Sequence, residues 1–128
     1  MPRKPTSGLT ESELRLMDVL WRKKSATVAE IAGGLPKRPG LAYNTVLTTM
    51  RILEAKGFVR HDEEKQGRAF VYRPLVSRRK ATRGAVRQLL RRFFDDSAEA
   101  LVLNLLEEDD LNREERERIR ALLKKEGK

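Results

Sequence analysis

The hydrophobic period of this chain switches from helical to strand-like near its middle, and that change narrows the folds open to it. Up to Lys56, apolar residues recur at three- and four-residue steps. After Gly57, two short β-prone runs, Phe58-Val59-Arg60-His61 and Ala69-Phe70-Val71-Tyr72-Arg73, flank a polar segment from Asp62 to Arg68. Gly67 permits a turn in that segment and Pro74 closes the second run, so the pattern predicts a β-hairpin.

Helices are predicted on both sides of the hairpin. Thr10-Glu11-Ser12-Glu13 is a capping box, and Leu14, Met17, Val19, Leu20 and Trp21 carry the helix to about Lys23. A second box, Thr27-Val28-Ala29-Glu30, opens a short helix that stops at Gly33-Gly34. Pro36 and Pro39-Gly40 mark a loop. Ala42 to Lys56 is then a third helix, apolar at Val46, Met50 and Leu53 with Leu47 and Ile52 beside them. Behind the hairpin, Ser77 caps a helix to Phe94, with Ala81, Ala85, Leu89, Leu90 and Phe93 on one face. Asp95-Asp96-Ser97 breaks it and caps another from Ala98 to about Leu106, and Asn112 with Glu115 opens a last helix to about Lys125.

Three helices followed by a hairpin is the order of a winged helix-turn-helix. The expected fold is therefore mainly α: a flexible arm over residues 1–8, a winged helix over 9–75, and a helical region over 76–128. Charge divides along similar lines. Residues 1–92 hold 21 Lys and Arg against 8 acids, a net of +13; residues 93–128 hold 7 against 11, a net of −4. A basic front of this size is the footprint of a polyanion binder, although a solvated basic surface has the same composition.

In a winged helix the third helix buries one face and presents the other to a major groove. Here the outward set is Ala42, Tyr43, Asn44, Thr45, Thr48, Thr49 and Arg51, with no acid before Glu54. Asn and Thr can bond base edges or phosphates, and a Thr methyl can pack on a thymine methyl. An ordinary surface helix carries Glu–Lys pairs instead. Lys65 and Arg68 fall at the hairpin tip, where a wing meets the DNA backbone or minor groove; Asp62, Glu63 and Glu64 fit a plain solvated turn equally. Arg78, Arg79, Lys80, Arg83, Arg87, Arg91 and Arg92 form a charge run that reads as a wet helix face or as a flank to the DNA.

The last helices carry Leu101, Val102, Leu103, Leu105, Leu106, Leu111, Ile119, Leu122 and Leu123. That is more apolar surface than short helices bury on themselves, and short helices are marginal without packing partners. A second copy is the expected cover, with Leu89, Phe93, Leu101, Leu105, Ile119 and Leu122 as dimerisation residues; folding back onto the winged domain is the alternative.

Several runs resemble the penicillinase-repressor family (BlaI/MecI/CopY type): Leu9 to Trp21, Thr27-Val28-Ala29-Glu30-Ile31, Leu41 to Met50, Lys56-Gly57-Phe58-Val59, and Arg68 to Pro74. The likeness spans residue 9 to about 125. It implies a homodimeric transcriptional repressor whose winged helix binds an inverted-repeat operator through the positions Ala42, Tyr43, Asn44, Thr45, Thr48 and Thr49. Where the family has a groove-facing Lys or Thr this chain has Asn44, and a Trp often found before the recognition helix is Leu41, so operator sequence need not carry over. β-Lactam-responsive members are inactivated when a sensor protease cuts between an Asn and a Phe. The matching pair here is Asn104 and Leu105, a candidate scissile bond with Leu in place of Phe. The copper-responsive branch resembles this chain but uses a cysteine-rich motif, and with no Cys this chain cannot sense copper through thiolates.

Composition removes other classes. Zero Cys excludes disulfide scaffolds, Cys-ligated zinc and a thiol nucleophile. A single His, His61, makes a metal site unexpected, and its place on a strand fits a surface residue better than a base. No Gly-rich phosphate loop is present, so no enzyme activity, cofactor or metal is expected. No run approaches the roughly 18–20 apolar residues of a membrane span, and Met1-Pro2-Arg3-Lys4-Pro5 lacks the apolar stretch of a signal peptide. The expected setting is the cytoplasm. The rival function is an RNA-binding or protein-interaction adaptor on the same scaffold. RNA binders expose aromatics for stacking, and here Trp21, Phe58, Phe70 and Tyr72 fall on core patterns, leaving Tyr43 outside.

Overall fold

A computed structural model describes residues 8–37, 40–63, 69–107 and 111–127. Both predicted capping boxes form. At the start of α1 (Glu11–Lys23), Glu13 N donates to Thr10 Oγ1 at 3.1 Å and Thr10 N donates to Glu13 Oε1 at 2.8 Å. At α2 (Val28–Gly34), Glu30 N donates to Thr27 Oγ1 at 3.2 Å and Thr27 N to Glu30 Oε1 at 2.8 Å. Each pair satisfies two backbone donors that a helix end otherwise leaves unpaired. Gly34 ends α2 against α1, where a Cβ would sit 2.7 Å from Val19 Cγ1, so only glycine allows this approach. The third helix, α3 (Tyr43–Lys56), stops at Gly57, whose φ of 91° is left-handed.

The hairpin pairs β2 (Val59–Glu63) with β3 (Phe70–Pro74) antiparallel, with His61 opposite Tyr72 and Glu63 opposite Phe70. Sequence periodicity missed a third strand. β1 (Ala26–Thr27) pairs with Tyr72 and Val71 on the other edge of β3, giving the sheet order β1-β3-β2. Two residues cannot display an alternating pattern, and Thr27 serves as strand and helix cap together.

Leu16, Met17 and Leu20 of α1, Ile31 of α2, and Val46, Met50 and Leu53 of α3 meet Val59 and Tyr72 of the sheet in one core, each 1% exposed or less. This is the winged-helix arrangement, with α3 buried along Val46, Met50 and Leu53 and open on its other side. Phe70 corrects an expectation: it is 43% exposed, because the hairpin has left the core by that point. Tyr72, two residues on and on the same side of β3, is the residue that reaches the core.

The helix after the hairpin, α4 (Arg78–Phe93), is tied at its start to α1. Trp21 Nε1 donates to Val76 O at 2.8 Å, the Arg78 guanidinium lies 4.8 Å from the Trp21 ring centroid, and Arg78 pairs with Asp18. The chain divides into two compact units, Met1–Ala85 and Val86–Lys128, so the division falls within α4. In the second unit, Asp95 and Asp96 take positive φ and end the helix, and Ser97 caps α5 (Ala98–Glu107) by accepting from Ala100 N at 3.0 Å. Asn112 and Glu115 cap each other at the start of α6 (Arg113–Gly127). Among the described residues, none after Val76 is buried. No helix among them is long and apolar enough to cross a membrane.

Candidate nucleic-acid interface

With Val46, Met50 and Leu53 turned inward, helical spacing fixes what α3 turns outward. Asn44, Thr48 and Arg51 stand four and three residues apart and stack on the side opposite the core; all three are exposed. Thr45 is exposed to one side of this row and Ala42 at its head. Ala42 is the N-cap but offers no side-chain cap, and the first turn holds no acid. Thr49 departs from the expected outward set. It is half-buried and its Oγ1 donates to Thr45 O at 2.8 Å, so that hydroxyl proton is used within the helix.

The flank of α3 beside the row faces the hairpin. Tyr43, 54% exposed, lines a groove with Leu47 and Arg51 of α3, with Glu63, Ala69 and Phe70, and with Thr27, Val28 and Ala29. One turn and more beyond Leu47, the Glu54 carboxylate lies 2.7 Å from His61 Nδ1 through both oxygens. The only acid bordering the outward row in α3 is thus engaged by the wing. The His61 ring in turn packs 4.4 Å from Phe70 and 5.7 Å from Tyr72, centroid to centroid. The opposite side of the hairpin carries a separate set, with Asp62 between Arg60 at 3.8 Å and Arg73 at 3.3 Å.

In the same C-terminal turn α3 is also pinned to α1. Lys56 Nζ donates to the buried Glu13 Oε1 at 2.8 Å. Burial alone would raise the Glu13 carboxyl pKa, but the bonds from Lys56 and from Thr10 outweigh it and hold the carboxyl below its ordinary value. Burial pushes the Tyr72 phenol up, so it stays neutral within the core. The recognition-type face is therefore carried on a helix whose C-terminal turn is held both by the hairpin and by α1.

Lys65 and Arg68, the expected wing-tip contacts, lie outside the described residues. Asn104 is exposed on α5 and Leu105 half-buried. Of the expected dimerisation residues, Leu89, Phe93 and Leu122 are exposed, while Leu101, Leu105 and Ile119 are half-buried. Among the described residues no group of His, Cys, Asp or Glu could hold a metal ion. Sequence periodicity passed over Glu54, His61 and Phe70 as partners. The pairing of a strand residue with a helix residue seven positions upstream, across a turn, has no local signal, although the odd count of one acid at the end of an acid-free face was visible.

Residues 9–125 match the profile of the penicillinase repressor family. The chain is 32% identical over 107 residues to the penicillinase repressor of Bacillus licheniformis, covering 84% of this chain and 82% of that one. It is 27% identical over 120 residues to the methicillin resistance regulatory protein MecI of Staphylococcus aureus (strain N315), covering 94% and 96%. The solution structure of the DNA-binding domain of the repressor BlaI aligns with 61% of this chain and 90% of its own length, at a TM-score of 0.50 and 31% identity. The winged helix, its open third helix and these likenesses agree: the chain belongs to the penicillinase-repressor family of DNA-binding transcriptional regulators.

Proposed function

We propose that this protein is a cytoplasmic homodimeric repressor that reads an inverted-repeat operator in duplex DNA through the outward row of α3. The observation that carries this is the row itself: Asn44, Thr48 and Arg51 exposed, hydrogen-bonding or cationic, on a helix whose bordering acid is already bonded to His61. Asn can bond adenine in a bidentate pair and Arg guanine, each worth roughly 1–3 kcal/mol of discrimination. The homodimer is supported by the second unit, where no described residue is buried and Val86, Leu89, Phe93, Val102, Leu103, Leu122 and Leu123 stand exposed. A two-fold dimer would present two identical α3 rows to two half-sites.

Release by cutting between Asn104 and Leu105 belongs to the same reading. Separating the linked halves abolishes the avidity of two sites held together. Asn104 is exposed on α5.

The test is Asn44→Ala in gel shifts on an operator selected from random duplexes. Specific affinity is expected to fall by about tenfold or more, with binding to scrambled duplex nearly unchanged. Equal loss on both would remove Asn44 from base reading. A competition in which single-stranded RNA displaces the duplex would favour the RNA-binding reading, for which Tyr43 and Phe70 would be the stacking surfaces.

A further inference from the structure

The helix and the wing of this fold must reach the duplex together, yet the hairpin leaves the core early. In β2 only Val59 is buried; His61, Asp62 and Glu63 run beyond it. From His61 outward, the hairpin is joined to α3 by side chains: the bond from His61 Nδ1 to Glu54, with the imidazole set between Phe70 and Tyr72. Tyr72 is 1% exposed and part of the core, while Phe70 is two residues nearer the hairpin turn and lines the groove with Tyr43, Leu47 and Arg51. The imidazole therefore links a fixed residue, a wing residue and α3 in one contact.

We propose that the Glu54–His61 bond is a strut that sets the angle between α3 and the wing, making both residues positioning residues for DNA binding without touching DNA. This rests on the reading that α3 is the DNA-reading helix. Three features separate a strut from an incidental surface pair. Glu54 meets Nδ1 with both oxygens at the same distance, so the end of the carboxylate is aimed squarely at the imidazole. The imidazole is held by ring contacts with Phe70 and Tyr72 as well as by the bond, while side-chain exposures of 31% and 36% keep the pair's share of global stability small. The third feature is placement. Glu54 lies three residues past Arg51 on the flank beside the outward row, and His61 lies two residues before Glu63, which lines the groove. Loss of the strut would let the wing tilt relative to the row, so that one element engages while the other lifts. The cost falls on the bound complex, where two contacts must be satisfied at once.

The experiment uses the full chain and an operator selected from random duplexes, and reads affinity by fluorescence anisotropy across a salt series together with thermal midpoint. Glu54→Ala removes the acceptor, His61→Phe keeps the ring stack without the bond, and Asp62→Asn breaks the ion pairs on the other side of the same hairpin. Glu54→Ala and His61→Phe are each expected to lower specific affinity by about tenfold and to make the salt dependence shallower by about one unit. Their midpoints are expected to stay near wild type, the double variant to be no weaker than either single one, and Asp62→Asn to match wild type in slope. Unchanged affinity and slope in both single variants, or a double variant that adds the two losses, would overturn the strut. If Asn44→Ala loses affinity while the strut variants do not, the strut alone fails. If Asn44→Ala is also silent, the DNA-reading assignment of α3 fails and the strut with it.

Discussion

Glu13 does two jobs with one carboxylate, and the sequence announces only the first. Its place in Thr10-Glu11-Ser12-Glu13 predicts a capping box, which the structure contains. Nothing in the local sequence predicts that Lys56, 43 residues later, donates to the same oxygen, or that the carboxylate is buried between them. The joint consequence is a dependence on acid. The folded-state pKa lies below the ordinary 4.5, so ionised Glu13 stabilises the fold fully above that value, and the contribution disappears as pH falls through the folded-state value. Urea unfolding of wild type and Glu13→Gln from pH 7 down to pH 3 checks this. The variant is expected to be less stable by ~1–2 kcal/mol at pH 7, with the gap closing as wild type is acidified. A gap that holds constant across the range would mean that the charge contributes nothing. Asn44, Thr48 and Arg51 show the other side of the residue scale, since spacing alone placed them outward. Thr49 it misplaced, because a hydroxyl that bonds its own helix at Thr45 looks the same in sequence as a free one.

Among the elements, α1, α2, α3 and the hairpin were legible because each carries a strong local code: a capping box, a glycine stop, a change of period. β1 was illegible because its two residues acquire meaning only by pairing with Tyr72 and Val71. Phe70 was misread for a related reason. Alternation gives the side of a strand and not how far along it the core extends. The same limit hid the junction of α1 with α4, where Trp21, Val76, Arg78 and Asp18 come from positions up to 60 residues apart. Trp21→Phe keeps most of the ring but deletes the bond to Val76 O and weakens the seat for Arg78. Its thermal midpoint is expected to drop by several degrees, corresponding to about 1 kcal/mol. A Trp21→Phe protein that melts with wild type would show that α4 begins without this tether.

At the scale of the whole molecule, the two compact units are built on opposite terms. Met1–Ala85 encloses a core of helices and sheet, whereas no described residue of Val86–Lys128 is buried. A chain of this kind gains by pairing, since the exposed Leu89, Phe93, Leu122 and Leu123 are removed from water only against another surface. The charge division runs along similar lines: +13 over residues 1–92, where DNA would be read, and −4 over residues 93–128, where like copies would meet. Two copies holding two α3 rows at a fixed separation constrain the DNA as much as the protein. The most direct measurement is therefore sequencing of duplexes selected from a random library by the full-length chain. The expected result is two inverted copies of one short motif, with centres about 10 base pairs apart or a multiple of that, and no such enrichment by Asn44→Ala. A library with no enriched motif, or with a single motif lacking an inverted mate, would contradict the account.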